Sequence, residues 1–159
     1  MNALEFDLVV TGGGPAGTSG ANGAALFGKH VALVEKTRVI GGAGINTGTI
    51  PSKTLRESAL ALSGWRSRRL FGVDLSLRRE ATVSDLMHHE KRVTADKHRR
   101  LVERLRSHRV EVFHGAASFV DPHTIQVKSA DGTVTLLRGK KILIATGSAP
   151  LRPPEFSFE

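Results

Sequence analysis

An α/β fold is predicted by three features of this sequence. A short apolar run, Phe6-Asp-Leu-Val-Val-Thr11, ends in Gly12-Gly-Gly-Pro-Ala-Gly17 and is followed by a small-residue segment and a second apolar run, Val31–Glu35. That order is strand, glycine turn, helix, strand, a βαβ unit with parallel strands. Three short runs between Ala117 and Arg138 are joined by turn residues, the pattern of an antiparallel meander. Finally, Lys141-Ile-Leu-Ile-Ala145 is a continuous apolar run, which reads as a strand covered on both faces. Together these specify a Rossmann-like domain over residues 1–148, a parallel sheet with helices plus a three-stranded meander, and a tail over 149–159.

Each element has a local reason. Proline suits a first helical turn, so the first helix starts near Pro15 and stops at Gly28. The glycine-rich stretch Gly41–Gly48 reads as a loop, and Thr49 can cap a helix running from about Pro51 to Ser63, closed by Gly64. Leu55, Ala59 and Leu62 give that helix a core stripe. Trp65 to Leu77 has no clear period and reads as loop. Ser84 is a candidate N-cap for a long polar helix ending near Ser107, with a thin stripe of Leu86, Val93, Leu101 and Leu105. Val110–Phe113 is a strand; Ala117–Val120, Thr124–Lys128 and Val134–Arg138 form the meander, with turns at Asp121-Pro122 and Asp131-Gly132.

A chain of 159 residues suits one domain that can bury a core without disulfide or metal staples. It has no cysteine, which excludes thiolate metal sites, a cysteine nucleophile and a redox-active disulfide. The N-terminus lacks the basic flank and long apolar region of a signal peptide, and no apolar run approaches the roughly 18 residues of a membrane span, so a cytoplasmic protein without membrane contact is expected. Net charge is +8. Between His88 and Arg109, eight Lys/Arg face Glu90, Asp96 and Glu103, leaving +5 in that one helix. Those cations could meet phosphates of a nucleic acid, but no aromatic residue interleaves them, and the expectation is a solvated helix face without nucleic acid. His88, His89, His98 and His108 contain no i,i+4 pair, and no metal site is expected.

Gly12-x-Gly14-x-x-Gly17 lies between a predicted strand and a predicted helix, which gives the glycines mechanical roles. Gly12 permits the tight turn, Gly14 lets the backbone approach a pyrophosphate, and Gly17 lets helix and strand pack closely. The helix N-terminus offers free N–H groups to phosphate. Glu35, ending the second strand, can take both hydroxyls of a ribose, and Lys36 follows it, so the nucleotide half is an adenosine of FAD or NAD type. Lys53 falls in the first turn of the predicted second helix, where the dipole disfavours a cation, so an electron-rich partner or a pairing with Glu57 is expected.

Gly-Gly-x-x-x-x-x-Gly-x-x-Pro-Ser-Lys, after Gly-x-Gly-x-x-Gly and before Ala145-Thr-Gly-Ser148, resembles the flavoprotein pyridine nucleotide–disulfide oxidoreductase family over nearly the whole chain. Asn46–Arg56 and Gly115–Thr124 are most similar to its transhydrogenase branch. The resemblance implies FAD, with Gly12, Gly14, Pro15, Ala16 and Gly17 at the pyrophosphate, Glu35 and Lys36 at the adenosine, and Gly41, Gly42, Ala43 and Gly44 around the ribityl and phosphate region. It places Gly115 near the adenine and Thr146, Gly147 and Ser148 at the closing edge of the crevice. Lys53 would sit by the flavin's reactive nitrogen and stabilise negative charge on the reduced ring.

Two departures shape what the resemblance implies. The disulfide members carry redox cysteines at the positions of Gly44 and Thr49; the transhydrogenase branch lacks the second and typically keeps the first. Exchange with a thiol is impossible here, whereas hydride transfer from NADPH through FAD to NAD+ needs no cysteine. The family's chains also continue into an NAD(P)-binding domain and a dimerisation domain, while this sequence has one Gly-x-Gly-x-x-Gly. The expectation is therefore the N-terminal part of an FAD-binding domain from a homodimeric, transhydrogenase-like parent. An inactive truncated remnant, or a fragment of a dihydrolipoyl dehydrogenase-like reductase that lost its cysteines, are the alternatives.

Overall fold

The computed structural model describes residues 2–63, 82–149 and 151–156. The expected stop at Gly64, the loop reading for Trp65–Leu77, and Pro150 and Phe158 of the tail lie outside the described residues. The elements are β1 (Leu4–Thr11), α1 (Pro15–Leu26), β2 (Val31–Glu35), α2 (Gly42–Asn46), α3 (Thr49–Leu62), α4 (Val83–Ser107), β3 (Glu111–His114), β4 (Ala116–Asp121), β5 (Thr124–Lys128) and β6 (Val134–Ile144).

Six strands form one mixed sheet in the order β3-β2-β1-β6-β5-β4. β1 pairs in parallel with β2 and β6, and β2 with β3, as the βαβ pattern requires. β4, β5 and β6 are antiparallel neighbours. The two runs read as separate strands, Val134–Arg138 and Lys141–Ala145, are one continuous strand, β6. Leu137 and Arg138 pair on both sides, with β5 and with Leu4 and Glu5 of β1. Sequence reading divides them because Gly139-Lys-Lys141 looks like a turn; in the structure the pairing with β1 runs through it.

Alternation along β2 and along Leu8–Thr11 of β1 builds two apolar layers, and Phe6 joins the second across an irregular step where the Asp7 and Leu8 N–H groups both donate to His30 O. Val10, Val31 and Leu33 meet Ala21 of α1 and Leu105 of α4 on one face. Phe6, Val9, Ala32 and Val34 meet Ile125, Val127 and Leu137 on the other, so the meander curls over the sheet and β4 reaches β2. The expectation that the last parallel strand is covered on both faces fails: Ile142 and Leu143 are only half-buried and Ile144 is 63% exposed. Its C-terminal half has β1 as a partner, and β5 reaches only as far as Arg138.

Helix boundaries bring three corrections. The stretch read as loop contains the short helix α2, entered by Gly41 at φ 125°. α3 begins at Thr49 with Gly48 as N-cap and no side-chain cap, so Thr49 does not cap and Lys53 is the fifth residue, past the first turn. The cap of α4 is Thr82, whose hydroxyl accepts from the Asp85 N–H at 3.3 Å while Asp85 Oδ2 accepts from the Thr82 N–H at 2.9 Å. Thr82–Asp85 has the spacing of a capping box, which outcompetes Ser84. The α3 stripe is also shallower than expected: Leu55 is half-buried, and Ala59 and Leu62 are exposed. α3 packs chiefly on α4 and α2 rather than on the sheet.

α1 and α4 end in the same way with different residues. Each shows the paired bonds of a Schellman motif, Lys29 N–H to Ala24 O with Gly28 N–H to Ala25 O, and Val110 N–H to Leu105 O with Arg109 N–H to Arg106 O. The left-handed position is Gly28 (φ 72°) in the first and Arg109 (φ 57°) in the second.

Candidate functional site

The glycine turn after β1 is set by close backbone approach. A Cβ on Gly17 would lie 1.8 Å from Gly12 O, and one on Gly12 would lie 2.2 Å from Ala145 O. Gly12 therefore joins the α1 N-terminus to the end of β6, and Gly17 lets α1 lie against the turn. Gly14 is the N-cap of α1 and supplies no side-chain cap. The first N–H groups of this 12-residue helix are thus left for an external acceptor.

Glu35 is 8% exposed at the end of β2. Its Oε2 accepts from Gly13 N–H at 2.7 Å, and its Oε1 accepts from Thr37 N–H at 2.8 Å. The Thr37 hydroxyl lies 2.9 Å from that Oε1 and 2.9 Å from Val39 O, as a shared donor. Burial pushes the carboxyl up, but the Thr37 and Gly13 N–H bonds, the Thr37 hydroxyl and the nearby His114 outweigh it and hold Glu35 below its ordinary value. It is an anion at neutral pH. A carboxylate offers about four acceptor sites, so about one remains for an external hydroxyl rather than two.

α2 closes over this turn. Gly41 N–H donates to Gly13 O at 2.8 Å. A Cβ on Gly42 would lie 2.9 Å from Gly14 Cα, and one on Gly44 would lie 2.5 Å from Pro15 Cγ. Gly44 thus lacks both the sulfur and the room for one in this backbone.

These segments enclose a cleft of about 1030 Å³. Of the residues expected from the sequence, Gly12, Gly14, Pro15, Ala16, Glu35, Lys36, Gly42, Ala43, Gly44, Gly115, Thr146, Gly147 and Ser148 line it. Gly17, Gly41 and Lys53 are not in its lining: the two glycines hold the turn and α2, and Lys53 is exposed on α3. Gly115 is buried, and its N–H donates to Glu35 O at 2.9 Å.

Sequence reasoning missed Gly13, Thr37 and Thr94. Gly13 holds Glu35, and a Cβ there would lie 2.8 Å from Glu35 Oε2, so the first variable position of the glycine motif is constrained as well. Thr37 stands two residues after Glu35, the offset of a local hydroxyl–carboxylate bond, which is a readable signal. Thr94 lies in the cleft wall, and its hydroxyl donates to Glu90 at 2.9 Å; Glu90 is 8% exposed on α4. Nothing in that polar helix marks this pair.

Among the described residues, no group of three or more His, Asp or Glu gathers as metal ligands, and no helix is long and apolar enough to cross a membrane.

The family model for pyridine nucleotide-disulphide oxidoreductases matches residues 6–157. A soluble pyridine nucleotide transhydrogenase of Mycobacterium tuberculosis (strain ATCC 25177 / H37Ra) is 41% identical over 156 residues, covering 98% of this chain and 33% of that protein. The protein of the same description from Colwellia psychrerythraea (strain 34H / ATCC BAA-681) is 35% identical over 157 residues, covering 99% and 34%. Among solved structures, the Cu(II) complex of the HOCl-induced flavoprotein disulfide reductase RclA from Escherichia coli superposes with a TM-score of 0.77 at 27% identity, over 97% of this chain and 31% of that one. This chain spans about a third of the length of each of these proteins.

Proposed function

The chain belongs to the pyridine nucleotide-disulphide oxidoreductase family, and from that premise we propose that it is the FAD-binding portion of a transhydrogenase-like flavin oxidoreductase. The observation that carries this reading is the convergence of the α1 N-terminus, Glu35 and the Ala145–Ser148 segment on one cleft. The chain's own groups fit a dinucleotide there. Uncapped N–H groups and the helix dipole suit a pyrophosphate, the Gly14–Gly42 contact lets α2 close against the α1 N-terminus beside it, and the anionic Glu35 suits a ribose hydroxyl.

When bound, FAD supplies the hydride relay between NADPH and NAD+ in the parent enzyme. The chain's residues would bind and orient it: Gly12, Gly14, Pro15 and Ala16 at the phosphates with Gly17 holding the turn behind them, Glu35 and Lys36 at the adenosine, and Gly42–Gly44, held by Gly41, with Thr146–Ser148 at the walls. Lys53, exposed on α3 outside the cleft lining, would act electrostatically at the flavin end on the strength of the family resemblance alone. The 41%-identical relative favours the transhydrogenase branch over the disulfide reductases. Gly44 and Thr49 favour it on chemical grounds, since neither carries sulfur. The nicotinamide-binding unit and the homodimer contact belong to the remaining two-thirds of such a parent.

Purified chain is expected to be yellow, or to become so on adding FAD, and to release about one flavin per chain on denaturation. Colourless protein that takes up no added FAD would overturn the binding claim. A turnover assay with NADPH and an NAD+ analogue tests the chain alone, and no turnover is expected.

A further inference from the structure

A second cavity, of about 660 Å³, opens between the last turns of α4, the edge strand β3 and the segment after β2. That volume lies within the range of small-molecule sites. Its floor is apolar: Ile40, Leu105 and Val110 are 4%, 1% and 7% exposed. Its rim carries Arg38, from the segment after β2, and Arg106 and Arg109, from the turn that ends α4. None of the three has an ion pair among the described residues. The one acid in the lining, Glu111, is engaged with His30, its Oε1 lying 2.7 Å from the ring Nε2.

Part of this charge has a local explanation, because a helix C-terminus favours cations such as Arg106. That reason does not reach Arg38, which lies after β2. Nor does it explain why arginine occupies the left-handed position at 109, where the equivalent turn of α1 has glycine. Unpaired arginines around an apolar hollow suit a planar, bidentate anion on an apolar body.

We infer that this cavity is a second binding site, for a small organic anion carrying a phosphate or carboxylate on an aromatic or alicyclic body. The site shares Arg38 with the wall of the cleft but opens on the α4–β3 side of the domain. It stands independently of whether the cleft takes FAD.

The test is calorimetric titration of the chain with 1-naphthyl phosphate and with 1-naphthoate, which separate the two head groups, using 1-naphthalenemethanol as the uncharged control. Saturable binding of at least one anion at one site is expected, and no saturation by the alcohol. Arg106→Gln and Arg109→Gly should each weaken binding several-fold, and together at least tenfold, while Lys36→Gln in the cleft leaves it unchanged. Glycine suits the backbone at 109, so that variant should fold, and Arg106→Gln gives an independent reading. No saturable binding of either anion, equal binding of the alcohol, or loss in Lys36→Gln with retention in the arginine variants would overturn the site.

Discussion

Gly44 faces the ring of Pro15 so closely that a Cβ at 44 would lie 2.5 Å from Pro15 Cγ. The redox-cysteine position is thereby closed by packing as well as by composition. Gly44→Cys is expected to lower stability by about 1–3 kcal/mol, the range for forcing an atom into a packed contact, and to give no thiol–disulfide turnover. Pro15→Ala should recover part of that loss, since the two sites touch and their effects are not additive. Urea unfolding of the two single variants and the double variant measures the coupling; equal losses with and without Pro15 would refute the contact.

Gly17→Ala is the most severe glycine change expected, because its Cβ would lie 1.8 Å from Gly12 O. The clash is with backbone that also fixes the end of β6. A loss of about 3 kcal/mol or more, with loss of any flavin uptake, is expected by denaturant titration and absorbance. Gly23→Ala is the control, since nothing lies within 4 Å of a Cβ there.

Glu35 makes stability depend on pH in a definite direction. Its folded value lies below the ordinary 4.5, so its contribution is fully present above about pH 4.5 and is lost as pH falls through the folded value. Glu35→Gln should cost about 1–3 kcal/mol at neutral pH by unpairing buried donors. The gap between parent and variant should narrow as the solution is acidified below that point. Parallel unfolding curves across this window check it, and a gap that stays constant or widens on acidification would contradict the assignment.

The two helix ends make a matched pair. Arg109→Gly should raise stability by about 1 kcal/mol and Gly28→Ala should lower it by about as much, because both positions are left-handed. Melting temperatures of the two variants should move in opposite directions.

Thr94→Val removes the hydroxyl that donates to the buried Glu90. A loss of about 1–3 kcal/mol is expected from leaving that carboxylate short of a partner. Thr94→Ser should restore most of it, which separates the hydrogen bond from the packing of the methyl group.

Much of the fold is legible in the sequence because the βαβ unit obeys local rules: β2 is an unbroken apolar run, and the glycines sit where backbones meet. Glu35 is legible for the same reason, standing at the end of a strand at a fixed distance from the turn. What is not legible depends on distant partners. The unity of β6 shows only once β1 is laid beside it, and the buried Glu90 shows only once α3 and the cleft wall are in place. Lys53 illustrates the limit of a motif: a two-residue shift in the start of α3 moves it out of the first turn on which the dipole argument rested. The second cavity had no signal at all, because Arg38 and Arg109 are brought together by the β2–β3 pairing.

The shared strand β6 governs when this domain can assemble. β1 leaves the ribosome early, yet its neighbour across the sheet centre begins at Leu137, which pairs with Leu4. The middle of the sheet therefore closes only after almost the whole described chain has been synthesised. Until then β1 carries an open apolar edge, and β2, made second and pairing locally through α1, is its early partner. Such long-range closure slows folding and leaves the waiting edge open to other chains.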